Sequence, residues 1–283
     1  MNQIEIVTPA WLAERLDAPD VAVVDGSYYL PAANRDAEAE YQARRIPGAV
    51  RFDIDAVKDR ASDLPHMLPS PEVFAAEVGA LGIGDGMTIV VYDGMGLFAA
   101  PRVAWTFRTF GARHVAVLDG GFPAWLAEER PVETDEPRRR SPRRFTPRFD
   151  AGAVASLEDV RKALETGSAQ VVDARSGSRF RGEEPEPRAG LRAGHMPGAV
   201  NLHYADVLQD GRLKDADGIR SALDRAGIDP SRPIITSCGS GVTAAILSLA
   251  FERAGRPAKA LYDGSWTEWG SRPDTTVATG PAK

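Results

Sequence analysis

The sequence predicts two α/β domains in tandem, each a parallel β-sheet flanked by helices, and three observations carry that prediction. The two halves repeat each other. Val21-Ala22-Val23-Val24-Asp25 matches Gln170-Val171-Val172-Asp173, and Ile46-Pro47-Gly48-Ala49-Val50 matches Met196-Pro197-Gly198-Ala199-Val200. Ile89 to Gly96 matches Ile234 to Gly241, and Leu118 to Trp125 matches Tyr262 to Trp269, all in order at offsets of 144 to 150 residues. That is the mark of a duplicated domain. Within each half, short apolar runs ending in Asp or Gly alternate with amphipathic stretches such as 71–81 and 157–164, the pattern of βαβ units. Finally, 283 residues with 43% hydrophobic and 26% charged side chains give room for about two ordinary globular domains.

Taken in order, the chain opens with Pro9 and Ala10 ahead of 11–16, a helix start. Glu5 and Glu14 stand there with no basic region followed by an apolar core, so the segment is not a secretory signal. No apolar run approaches the ~18 residues of a membrane span. The first domain is expected over 1–130 and the second over 151–283, with a linker at 131–150. The linker is rich in Pro and Arg, with Arg138, Arg139, Arg140, Arg143, Arg144 and Arg148 clustered. Only Phe145 and Phe149 interleave them and the chain's net charge is -6, so a solvated linker is the better reading than a nucleic-acid patch. Ser156 then starts the helix expected over 157–164.

The chemistry is expected at Ile234-Ile235-Thr236-Ser237-Cys238-Gly239-Ser240-Gly241-Val242-Thr243-Ala244, which holds the only cysteine. Two β-branched residues read as the end of a buried strand, and 244–250 as the start of a helix. Cys238 therefore sits at a strand-to-helix turn, where ligands of such sheets bind. Gly239 and Gly241 let the backbone adopt positive φ and approach a ligand, so that successive N–H groups form an anion-binding nest in front of a helix N-terminus. Such a setting favours the thiolate, the nucleophilic form. A lone cysteine is more often a small buried hydrophobe, but the flanking Ser and Gly residues argue against plain core packing. In the first half the matching position is Asp93, whose carboxylate would repel an anion, so that half is not expected to catalyse by itself.

From Val24-Asp25-Gly26-Ser27-Tyr28-Tyr29-Leu30-Pro31 through Trp269, with Cys238-Gly239-Ser240-Gly241-Val242-Thr243-Ala244 at its centre, the chain resembles the tandem-domain rhodanese-like sulfurtransferases, and within them the branch that uses 3-mercaptopyruvate. Thiosulfate-preferring relatives tend to carry Arg and Lys after the cysteine, where this chain has Gly239 and Ser240. The segment from Gly177 to Arg188 resembles the family's substrate-binding segment, and its two arginines map onto Arg179 and Arg188. Guanidinium binds a carboxylate beside a ketone through paired hydrogen bonds. Without the resemblance, these are equally well surface arginines among glutamates. Asp53-Ile54-Asp55 and Pro65-His66-Met67-Leu68-Pro69 resemble segments supplying a relay, which would join Asp55, His66 and Ser240 in the logic of a Ser-His-Asp array. The residues alone would leave His66 a loop histidine or a helix cap.

The resemblance implies double displacement through a Cys238 persulfide, with Gly239, Gly241, Val242 and Thr243 lining the anion site and a thiol such as thioredoxin, or cyanide, as acceptor. No cofactor is required, and no spacing of His, Cys and carboxylates makes a metal site. His195 reads as structural, and His114 and His203 have no nameable partner. Neither nucleic acid nor a membrane is expected as partner, and a single reactive thiol suits a reducing compartment, the cytoplasm. Two rivals remain. One is thiosulfate sulfurtransfer, disfavoured by the uncharged Gly239-Ser240 pair; the other is a Cys-dependent phosphatase, whose chemistry usually requires an Arg six residues after the cysteine, where Ala244 stands. A catalytically dead binding module fits the first half only.

Overall fold

Five parallel strands form a sheet in each half of the chain. In this computed structural model, which describes residues 3–282, the first half runs β1 (Glu5–Val7), α1 (Pro9–Ala13), β2 (Val21–Asp25), α2 (Ala37–Ala43), β3 (Val50–Arg51), α3 (Pro71–Ala80), β4 (Thr88–Tyr92), α4 (Ala100–Thr109), β5 (His114–Leu118) and α5 (Gly121–Ala127). The second runs β6 (Val154–Ala155), α6 (Leu157–Thr166), β7 (Gln170–Asp173), α7 (Gly177–Arg181), β8 (Val200–Asn201), a hairpin of β9 (Leu208–Gln209) and β10 (Arg212–Leu213), α8 (Ala216–Arg225), β11 (Ile234–Ser237), α9 (Ala244–Arg253), β12 (Ala260–Tyr262) and α10 (Ser265–Ser271). The sheet orders are β1-β5-β4-β2-β3 and β6-β12-β11-β7-β8. The order of the first sheet is thus repeated in the second, as a duplication requires.

The strands owe their place to β-branched runs buried on both faces, which is what a helix-covered parallel sheet demands. All five residues of β2 and all four of β11 are buried. Alternate side chains feed opposite faces. Val21 and Val23 pack with Val90, Tyr92, Ala116 and Leu118 on one side of the first sheet; in the second, Val171, Ile235, Ala260 and Tyr262 pack with Trp266 and Trp269.

Local signals set the helix ends. Ser156 and Asp159 form a reciprocal capping box at α6, and the helix extends to Thr166 before Gly167, at φ 66°, stops it. The helix start expected at Pro9 and Ala10 stands, behind the Thr8 cap, but the expected extent to Leu16 is corrected: α1 ends at Ala13. Beyond it the chain tightens into i→i+3 turns, Arg15 N–H to Leu12 at 2.9 Å and Ala18 N–H to Arg15 at 3.1 Å.

The chain divides into two compact units, the first comprising the chain up to Arg60, Leu68–Asp150 and Asp210–Leu213, the second Ala61–Met67, Ala151–Gln209 and Lys214 onward. The arginine-rich stretch at 131–150 therefore belongs to the first unit. It lies as a strap on α3 and the following turn. Arg143 N–H donates to the Gly79 carbonyl at 3.0 Å, and the Asp85 N–H to the Arg144 carbonyl at 3.0 Å. Glycine at position 79 is what admits it, since a Cβ there would lie 2.6 Å from the Arg143 carbonyl oxygen. The segment holding His66 belongs to the second unit.

In the second sheet, the chain leaves β7 for β8 on one side and later returns as β11 on the other, with Ser237 level with Asp173. That reversal opens a crevice at the carboxyl ends of β7 and β11, the usual ligand position in such sheets. The segments after these two strands, a turn after β11 and α7 after β7, carry Cys238 and Arg179. Among the described residues, no helix is long and apolar enough to cross a membrane.

Candidate active site

β11 ends at Ser237 and α9 begins at Ala244, so residues 238–243 form the turn. Cys238 is 2% exposed, and its Sγ accepts a hydrogen bond from the Gly241 N–H at 3.1 Å. Only Gly241 of the two loop glycines uses positive φ, at 80°. The expectation that Gly239 shares this role is corrected. What Gly239 supplies is space, because a Cβ there would stand 3.3 Å from an Arg179 Nη. Among the described residues, the N–H groups of Gly239, Ser240, Val242 and Thr243 make no hydrogen bond to protein, and Ser240 and Val242 are buried. Orphan N–H donors in a buried turn mark a place built for an acceptor from outside.

The matching turn of the first unit holds an acceptor of its own. At the matching turn, the carboxylate of Asp93 accepts from the Met95 N–H at 2.8 Å through one oxygen, and from Phe98, Ala99 and Ala100 at 2.8, 2.9 and 2.8 Å through the other. Asp93 is 1% exposed. Its loop wraps an anion supplied by its own chain. The matching turn in the second unit carries a thiol instead, which takes one N–H, that of Gly241, and, among the described residues, leaves those of Gly239, Ser240, Val242 and Thr243 unspent.

Arg179 approaches the loop from α7. A chain of buried charges positions it. Asp173, at the end of β7, accepts from the Arg175 guanidinium through Nε at 3.2 and 3.0 Å and through Nη2 at 2.7 Å; Arg175 donates to Glu186 at 2.7 Å; Glu186 accepts from Arg179 at 2.5 Å. The guanidinium of Arg175 also lies 4.2 Å from the centre of the Trp266 ring. Burial opposes the charge of Arg175, but Asp173 and Glu186 outweigh it and hold the group above its ordinary pKa. The four charges sum to zero, and Glu186 fixes Arg179 through its Nε and one Nη, which orients the guanidinium and leaves its other Nη to face a ligand. Arg188 is half-buried and forms no ion pair among the described residues. It is free to take a carboxylate.

The remaining sequence candidates fall as follows. His66 is 4% exposed, held at φ 59°, and belongs to the same unit as Cys238. Left-handed backbone at a histidine costs energy and tends to occur where position matters. Asp55 is exposed and lies in the first unit, with its own N–H donating to Asp53 at 2.8 Å. His195 is fixed by its Nδ1 against the Phe180 carbonyl at 2.9 Å and stacked on the Phe180 ring; burial pushes its pKa down. His203 is half-buried against Tyr204, and its pKa is lowered first by burial and also by the charge of Arg179. Among the described residues, no three His, Cys, Asp or Glu are placed to hold a metal.

Sequence reasoning missed Asp173, Arg175 and Glu186 as a positioning chain. One signal was available: Asp25 and Asp173 end matching strands, and each accepts from the N–H two residues on, Ser27 at 2.8 Å and Arg175 at 2.9 Å. It also missed α10. Ser265, at φ 49°, accepts from the Cys238 N–H at 3.2 Å and donates to the Tyr262 carbonyl at 2.8 Å.

A rhodanese-like domain model matches residues 8–128 and again 156–272. The chain is 42% identical to the 3-mercaptopyruvate sulfurtransferase of Homo sapiens over 287 residues, covering 98% of this chain and 96% of that one. It is 43% identical to the thiosulfate sulfurtransferase of Bos taurus over 285 residues, covering 97% and 95%. Its backbone is similar to the crystal structure of an Escherichia coli 3-mercaptopyruvate sulfotransferase, with a TM-score of 0.86 at 39% identity, covering 93% of this chain and 99% of that one.

Proposed function

The chain belongs to the rhodanese-like family, and from that premise we propose that it is a sulfurtransferase taking its sulfur from 3-mercaptopyruvate. The observation that carries the reading is the pair of matching turns, one filled by the carboxylate of Asp93 and the other presenting Cys238 to unspent N–H donors.

In the proposed reaction, Cys238 thiolate attacks the sulfur of 3-mercaptopyruvate. The carbon–sulfur bond breaks, its electron pair leaves as the enolate of pyruvate, and the enolate takes a proton. Cys238 keeps the outer sulfur as a persulfide, which divides one difficult transfer into two easier ones. The N–H groups of Gly239, Ser240, Gly241, Val242 and Thr243 hold the sulfur anion, and Arg179 and Arg188 hold the substrate carboxylate. Ser240, His66 and Asp55 are assigned to moving the proton. The buried hydroxyl of Ser240 beside the nucleophile and the strained, buried His66 in the same unit support that assignment. An acceptor thiol, as in thioredoxin, or cyanide then removes the outer sulfur, in the cytoplasm.

The carboxylate clamp is tested directly by kinetics. Arg188→Ala is expected to lower kcat/KM for 3-mercaptopyruvate by about 10- to 100-fold, on ~1.5 to 3 kcal/mol for a charge-assisted hydrogen bond. Arg179→Ala is expected to behave alike. Normal kinetics in both variants would place the carboxylate elsewhere.

Identity to a thiosulfate sulfurtransferase gives donor choice its own test. Thiosulfate is a compact dianion and benefits from fixed charge beside the sulfur, whereas mercaptopyruvate is a monoanion held at a distance by arginines. Gly239→Arg with Ser240→Lys is expected to raise kcat/KM for thiosulfate about 10-fold, because two cations near a dianion retain ~1 to 2 kcal/mol after desolvation. The same change is expected to lower mercaptopyruvate use, since a side chain at position 239 crowds Arg179, 3.3 Å from the new Cβ. Assays at one ionic strength decide it. Parallel loss of both activities in a folded variant would show that backbone shape selects the donor.

A further inference from the structure

We infer that Thr267 is a positioning residue that sets the aim of the nest around Cys238, an inference that rests on the sulfurtransferase reading only for the identity of the anion. The carbonyl of Gly239 accepts two hydrogen bonds from this one residue, from the Thr267 N–H at 2.9 Å and from its Oγ1 at 2.7 Å. The Cys238 carbonyl likewise accepts from the Trp266 N–H at 2.9 Å. These are N–H groups that the first turn of a helix leaves without partners of its own. Because a trans peptide is planar, its C=O and N–H point in opposite directions. Holding the Gly239 carbonyl against α10 therefore turns the Ser240 N–H away from α10.

The first unit shows where that direction leads. The residue matching Ser240 is Met95, and its N–H donates to the side chain at the nucleophile position, Asp93, at 2.8 Å. The two units differ in how the peptide is held. The first part of the grip is common to both, since the Phe122 N–H, which matches Trp266, donates to the Asp93 carbonyl at 2.9 Å. At the position of Thr267 the first unit has Pro123, which has neither N–H nor hydroxyl to give. There, among the described residues, the matching carbonyl of Gly94 takes long bonds of 3.3 and 3.4 Å from Arg35. In that unit the Asp93 carboxylate holds the loop from inside. In the second unit the side chain at that position, Cys238, takes a single such bond, from the Gly241 N–H at 3.1 Å, and Thr267, 8% exposed, grips the loop from behind.

The test reads the thiolate rather than turnover, so it stands apart from any failure of the sulfurtransferase assignment. Alkylation of Cys238 by iodoacetamide is followed across pH in the wild type, Thr267→Val and Thr267→Ser, with folding checked by thermal melting. Val keeps the shape and removes the hydroxyl; Ser restores it. The expected result is that the Val variant reacts about 3- to 10-fold more slowly near neutral pH, on ~1 kcal/mol for one hydrogen bond. Its pH profile is displaced upward, and the Ser variant matches the wild type. Thr267→Ala replaces the Val variant if the latter does not fold. A profile for the hydroxyl-free variant that overlays the wild type would overturn the inference, and so would a Ser variant that behaves like it. Persulfide formation is measured separately in the wild type, and its absence would remove the proposed function while leaving the clamp to be judged by alkylation.

Discussion

Replacing Cys238 with Ser is expected to reduce turnover with every sulfur donor to the background rate, while the melting transition stays where it was. The substitution changes one buried atom in a turn whose shape is set by other groups: the Ser265 hydroxyl on the Cys238 N–H, and α10 on the carbonyls of Cys238 and Gly239. Fold and chemistry are thereby separated. A serine hydroxyl is a far weaker acid and nucleophile than a thiol and forms no persulfide. Steady-state assays with 3-mercaptopyruvate and with thiosulfate measure the effect. Activity near that of the wild type would remove the covalent mechanism altogether.

The second large effect is on stability. Arg175→Ala is expected to cost about 3 to 5 kcal/mol, because it removes the shared partner of two buried carboxylates. The side chains of Arg175, Asp173 and Glu186 are each 1% exposed. With Arg175 gone, Asp173 faces burial without its ion pair, and Glu186 keeps only Arg179. Urea unfolding measures the loss as a lowered midpoint. Kinetics are expected to suffer as well, since Glu186 no longer has a fixed position from which to orient Arg179. A variant within ~1 kcal/mol of the wild type would mean that the Asp173-Arg175-Glu186-Arg179 chain supplies orientation without supplying stability.

Much of the fold was legible because its signals are local or periodic. The duplication shows in blocks such as Ile46 to Val50 against Met196 to Val200, and the two sheets duly share one strand order. The capping residue Ser156 declares its helix. The nucleophile was legible because a strand end, two glycines and a helix start surround the one cysteine. What sequence did not disclose depends on contacts between distant positions. Arg175 and Glu186 are eleven residues apart and meet only because α7 folds back between them. The roles of Ser265 and Thr267 arise from α10 packing on a loop 27 or 28 residues earlier. Gly239 was expected to supply a turn and instead supplies clearance for Arg179, a distinction visible only once φ is known. The exchange of 61–67 into the second unit, which brings His66 to the same unit as Cys238, has no signature in hydrophobic pattern at all.

The central claim is that Cys238 carries sulfur between donor and acceptor, and the most direct measurement is intact-protein mass spectrometry after brief exposure to 3-mercaptopyruvate without acceptor. The expected result is a single addition of about 32 Da, one sulfur atom held covalently, located on the peptide containing Cys238 and discharged by a thiol or by cyanide with release of the sulfur. An unmodified mass under conditions where pyruvate is nonetheless produced, or an adduct that leaves Cys238 free to alkylation, would contradict it.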